Sequence, residues 1–153
     1  MSASALHIHL DPNINDSGYV CINITISNSN ETPITLLNWS TPLDPHADIL
    51  GVFEMNDETT NKAVQLPTLK ISRRLAPFID DLVEVPGAGC IETEVTMPRL
   101  ALTENHVYSI QAKGIWHALW DGPIESVTSH HLDNLSLAET GEFKSDVGIL
   151  FLD

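Results

Sequence analysis

The side chains best suited to chemistry in this sequence are its histidines and its paired carboxylates. His7 and His9 stand two apart in an alternating run, so on a strand they share a face and could share a metal. No third ligand is indicated nearby, and two surface histidines is the plainer reading. His130-His131-Leu132-Asp133 is a second cluster of ligand types. Neighbours on a strand point oppositely, and a polar loop suits the composition there better. Asp80-Asp81 and the Glu92, Glu94 pair supply two carboxyls each. General acid–base work needs two carboxyls in unlike environments around one cleft. Solvated faces account for both pairs. The zinc-protease pattern His-Glu-x-x-His, a phosphate loop, a nucleophile elbow and Cys-x-x-Cys are all missing from the sequence. The expectation is a non-enzyme, with no catalytic residue, no metal site and no cofactor.

The tryptophans carry more information. Trp116 and Trp120 both occupy even positions of the apolar run 115–120, which puts them on one face if the run is a regular strand. Exposed tryptophans anchor interfaces, so Trp116 and Trp120 are the candidate partner-binding residues. Trp39 ends an apolar run beside Ser40-Thr41-Pro42, where a core or corner role is expected.

Those residues must be held by extended segments. The run 34–39 breaks at Pro42, crosses a polar stretch containing Pro45, and resumes over 49–55. Prolines cannot donate a ladder hydrogen bond, so this reads as strand, corner, strand. The run 19–27 has the cleanest alternation, with Val20, Ile22, Ile24 and Ile26 on one face. Further strands are read at 5–10, ended by Asp11-Pro12-Asn13, and at 63–71, 82–85, 90–97, 106–113 and 147–152. The segment 72–81, with Arg73-Arg74 and Pro77, has room for one short helical turn. Pro86-Gly87-Ala88-Gly89 is a strong turn signal. About eight short strands with regular turns predict an all-β fold, an antiparallel immunoglobulin-like β-sandwich, as a single domain over 1–153.

Acids outnumber bases 21 to 7, for a formal charge of −14. Nucleic acid and anionic membrane would repel such a surface. No apolar run approaches the ~20 residues of a membrane span. The first ten residues lack the basic start and apolar stretch of a secretory signal. A cytoplasmic protein is therefore expected, or a secreted one whose leader has been removed. Five Asn-x-Ser/Thr triplets, at Asn15, Asn23, Asn30, Asn38 and Asn134, matter only in the secreted case. Cys21 and Cys90 both point away from the predicted core, so a bridge through it is not expected. A bridge between neighbouring strands and two free thiols both stay open.

Taken together, several stretches resemble the pro-region of fungal deuterolysin-type metalloendopeptidases, including the peptidyl-Lys enzymes. The most specific is Leu36-Leu37-Asn38-Trp39-Ser40-Thr41-Pro42-Leu43-Asp44. In similar order come the strand 49–53, Ile71-Ser72-Arg73-Arg74, Asp81-Leu82-Val83-Glu84-Val85-Pro86-Gly87, the strand 92–95, and Tyr108-Ser109-Ile110-Gln111-Ala112 leading to Gly114. The resemblance spans roughly residues 5–120. It implies a β-sandwich pro-domain that assists the folding of a zinc protease and keeps it latent. The protease itself is not present in this sequence, and the pro-region has no catalytic residue to carry over. The resemblance thus implies a protein that binds another protein, a zinc metalloendopeptidase being the partner, as inhibitor or chaperone. The alternative is a lectin-like sandwich binding a glycan or small molecule, resting on the same tryptophans and on the polar strand faces.

Overall fold

The computed structural model describes residues 2–73 and 76–153. Its strands in chain order are β1 (Leu6–Ile14), β2 (Val20–Asn28), β3 (Ile34–Leu37), β4 (Phe53–Asp57), β5 (Lys62–Ala63), β6 (Leu82–Val85), β7 (Cys90–Thr96), β8 (Val107–Asp121), β9 (Glu139–Lys144) and β10 (Gly148–Phe151). One short helix, α1 (Ser129–Asp133), and four 3-10 turns complete the described chain. The strands form two antiparallel sheets, as an immunoglobulin-like sandwich requires. The first sheet is β1-β2-β7. The second has seven strands and is built on β8.

β8 explains the second sheet. It is 15 residues long, so two strands fit end to end along each of its edges. On one edge, β9 pairs with its second half and β10 with its first. On the other, β3 pairs with 119–121 and β4 with 108–112. The expected strand, corner and strand are thus one interrupted line beside β8, and the corner is longer than the sequence suggests. It spans residues 38–52. Lys113 and Gly114 do not break β8, so the separate runs expected at 106–113 and 115–120 are a single strand.

The core is set by alternation. Ile22, Ile24 and Ile26 of β2 are at most 1% exposed and share one core with Leu36, Tyr108, Ile110 and Trp116 of the other sheet. Each fully buried aliphatic side chain contributes about 1.5–3 kcal/mol. A second, smaller cluster lies on the outer face of the large sheet. There Leu37, Leu82, Ala118 and Val127 are buried under the segment 124–138.

Three expectations need correction, and the short helical turn is found inside the segment expected to hold it. β1 does not end at Asp11-Pro12-Asn13 but runs to Ile14, with Pro12 opposite Ile22. Pro12 is tolerated because β1 is an edge strand and that position needs no donor toward β2. The run 63–71 contributes only Ala63 to the two-residue β5, and beyond it Pro67 interrupts the segment, which keeps isolated backbone bonds from Val64 to Met55 and from Leu69 to Ile49. The helical turn expected in 72–81 is a 3-10 turn at Ile79–Asp81, and Arg74 lies outside the described residues. β9 is a strand where the sequence suggests none, because Glu-Thr-Gly-Glu-Phe-Lys is polar and contains Gly141.

Both cysteines are free. Cys21 pairs with Thr96 and Cys90 with Ser27, so they stand at opposite ends of the β2–β7 ladder and cannot bridge.

Candidate docking surface

The two tryptophans expected on one face are on opposite faces. The ladder between β8 and β9 shifts register between Trp116 and Leu119, which inserts an irregularity and reverses the parity of residues 119–121. Trp116 is 1% exposed and lies in the main core, its ring 4.8 Å from that of Phe143. Trp120 points outward and packs, half-buried, on the second cluster, 6.5 Å from the His131 ring. A pair of anchors on one face does not exist, and Trp116 offers no surface to a partner. Trp39 has the expected corner role. The Arg73 guanidinium sits 5.5 Å from its ring and bonds the buried Asp44 carboxylate at 2.5 Å.

The polar candidates are scattered over the surface. His7 and His9 share an exposed face of β1, and His9 Nδ1 is 3.3 Å from Asp146. Glu92 and Glu94 are exposed on the outer face of β7. Asp81 accepts a hydrogen bond from the Phe78 amide at 2.9 Å, closing a turn. His131 Nδ1 accepts from the Thr128 amide at 2.9 Å and so caps α1 rather than facing a ligand. No group of three or more metal-ligating side chains occurs among the described residues.

One pair is not evident in the sequence. His106 Nδ1 lies 2.7 Å from Asp57 Oδ2, and Asp57 Oδ1 accepts from the Thr59 and Thr60 amides. Desolvation pushes the Asp57 carboxyl up, but the His106 bond and the two amides outweigh it and hold the carboxyl below its ordinary value. The pair ties β4 to the start of β8, and residues 49 apart in the chain give no local sign of it.

The most unusual surface is the β10 edge. Ile149 and Phe151 are 57% and 56% exposed, and Val147 just before the strand is also exposed. Alternation puts all three on the outer face. Leu152 donates its amide to the His106 carbonyl. By the antiparallel alternation, the main-chain groups of Ile149 and Phe151 therefore turn away from β8. They meet no hydrogen-bond partner among the described residues.

β1 approaches this edge and then leaves it. Asp146 donates its amide to the Ile8 carbonyl at 3.0 Å. At Gly148 the contact is so close that a Cβ would lie 2.7 Å from Pro12 Cδ and 3.1 Å from the Leu10 carbonyl. Pro12, Ile14, Ile149 and Phe151 line a groove of about 450 Å3 between the ends of the two strands. This surface is apolar on its walls and has an unpaired backbone along one side.

A family model for an immunoglobulin-like domain matches residues 6–150. The chain belongs to the immunoglobulin-like domain family. It is also similar to a protein of Arthroderma benhamiae named an uncharacterized secreted protein, with 42% identity over 129 residues. The match covers 82% of this immunoglobulin-like chain and 65% of that relative. The chain thus spans about two-thirds of the relative's length. The relative's name favours the secreted alternative, and the cytoplasmic expectation finds no support in it. Neither match carries a link to deuterolysin-type pro-regions, although the sandwich which that resemblance implied is the fold observed.

In sequence, the exposed apolar residues at this edge of the immunoglobulin-like domain look like part of an ordinary final strand. Val147, Ile149 and Phe151 alternate with Gly148, Leu150 and Leu152, so both faces of the run are apolar. On an edge strand with one face against the core, that pattern leaves the other face for something else.

Proposed function

We propose that this chain is a non-enzymatic immunoglobulin-like module of a secreted protein, and that it binds another protein by strand addition at β10. The observation that carries this reading is the row Val147, Ile149, Phe151 beside unpaired backbone on an edge strand. Apolar edges of this kind invite an added strand, and proteins that need no partner there blunt them with charge or proline. Burying the exposed halves of three side chains contributes about 3 kcal/mol in all. A micromolar complex needs about 8 kcal/mol. Side-chain burial alone is too little, so main-chain pairing with an extended segment must supply much of the rest.

The partner suggested by the pro-region resemblance is a zinc metalloendopeptidase, held as by an inhibitor or chaperone. The lectin-like alternative loses the paired tryptophans, because Trp116 is buried, and rests on the polar strand faces alone.

The test is a pull-down from culture filtrate with the purified chain and with an Ile149→Lys, Phe151→Lys variant, read by mass spectrometry. The expected result is a specific protein retained by the wild type and lost by the variant, with unchanged circular dichroism. A zinc endopeptidase among the retained proteins, inhibited on adding the chain, supports the finer reading. Equal retention by both forms refutes docking at β10.

A further inference from the structure

Asn23 differs from the other four asparagines that begin Asn-x-Ser/Thr triplets. Asn38 is 6% exposed, at the start of the corner. Asn15 is half-buried and accepts the Ser17 and Tyr19 amides, both at 3.0 Å. Asn134 donates its side-chain amide to the His130 carbonyl at 2.7 Å. Asn30 is half-buried in the turn that receives the Ala88 amide. Asn23 is exposed in the middle of β2, on the outer face of the three-stranded sheet. Its side chain has no hydrogen-bond partner among the described residues.

Its surroundings are open. Asp11 of β1 and Glu94 of β7 lie directly across from it, and Thr25 stands two residues on along the same strand face. With His9 and Glu92 these residues line a shallow trough of about 520 Å3. A bulky group on Asn23 would extend into solvent without disturbing the core beneath, where Ile22 and Ile24 point the other way.

We propose that Asn23 is an N-glycosylation site. This rests on the proposal that the chain is secreted, because the modifying machinery acts on chains entering the secretory route. The donor is a lipid-pyrophosphate-linked oligosaccharide. A bond forms between the Asn23 side-chain nitrogen and the sugar's anomeric carbon. The anomeric carbon–oxygen bond to pyrophosphate breaks, the lipid pyrophosphate leaves, and the amide gives up one proton. Thr25 supplies the hydroxyl of the triplet. The glycan would cover the polar face of β1-β2-β7. The β10 edge belongs to the other sheet and stays free for a partner.

The test is to secrete the full chain from yeast behind a cleavable signal sequence. Deglycosylation in heavy-oxygen water then marks each formerly glycosylated Asn as labelled Asp in peptide mass spectra. The expected result is label at Asn23 and none at Asn38. Asn23→Gln and, independently, Thr25→Ala should each remove that glycan while circular dichroism is unchanged. Folded, secreted chain without label at Asn23 overturns the proposal. Secretion itself is tested separately by fractionating the source organism. Native chain in the medium with Asn23 unmodified sinks the glycan site and leaves secretion standing. Native chain in the cytosol sinks the secreted reading, and the yeast product then shows whether Asn23 itself is a competent acceptor.

Discussion

Replacing Asp44 by Ala should loosen the corner that joins β3 to β4. The Asp44 side chain is fully buried and makes three contacts. Oδ2 accepts from Arg73 at 2.5 Å and from the Ser40 amide at 2.8 Å, and Oδ1 accepts from the His46 amide at 2.9 Å. Breaking a buried ion pair by removing one partner costs about 3–5 kcal/mol. Arg73 is 25% exposed and can rehydrate in part, and Ser40 and His46 lie near solvent, so the low end applies. The expected loss is about 3 kcal/mol, a large fraction of the roughly 5–15 kcal/mol available to a domain. Urea unfolding should show a lower midpoint at unchanged slope. Arg73→Ala should lose at least as much, because it leaves the fully buried Asp44 carboxylate without its cation and also removes the contact with the Trp39 ring at 5.5 Å, worth about 0.5–1 kcal/mol. The double variant should show a coupling of at least about 1 kcal/mol. A loss below about 1 kcal/mol for Asp44→Ala, or losses that simply add, would refute the view that this pair holds the corner.

Gly114→Ala should also destabilise, since its Cβ would lie 2.7 Å from Cζ of Phe143. That ring is held against Trp116 and cannot retreat freely, so a cost of about 1–3 kcal/mol is expected, read by thermal unfolding. The Asp57 carboxyl is held below its ordinary value in the fold. Its stabilisation is complete above the ordinary carboxylate pKa of about 3.9 and is lost as pH falls through the lower folded value. The stability gap between wild type and Asp57→Asn should therefore be present at about pH 5 and close under strong acid. A gap that is the same at about pH 2 would contradict this. Cys21 is 2% exposed, and burial pushes its thiol up, whereas Cys90 is exposed. A thiol reagent at neutral pH should label Cys90 in the native protein and reach Cys21 only after unfolding.

Much of the scaffold is legible residue by residue. β2 can be read from Val20, Ile22, Ile24 and Ile26, because strict alternation with branched side chains has no other good solution. β6, β7 and β10 lie within a residue or two of where apolar runs and the turn at 86–89 put them. β9 is hidden, since its glycine and charges look like a loop. It is a strand because β8 presents an edge to it and Phe143 covers Gly114 across the ladder. The exposed row Val147, Ile149, Phe151 is legible as a run of apolar residues, but not as a surface. Whether Ile149 and Phe151 are buried depends on which strands lie beside β10.

Local sequence therefore determined that the chain is built of extended segments, that β2, β6, β7 and β10 are among them, and that acids dominate the charge. These properties depend on side-chain periodicity, turn chemistry and charge, which act over a few residues. Tertiary structure decided the rest. It decided that β8 is one strand with two partners on each edge, and that a register shift after Trp116 sends Trp120 to the opposite face. It also decided that the ends of β1 and β10 line one groove. Each of these is a relation between residues far apart in the chain. A single added residue in one ladder is enough to exchange the inside and outside of the rest of the strand, and no local pattern records that exchange.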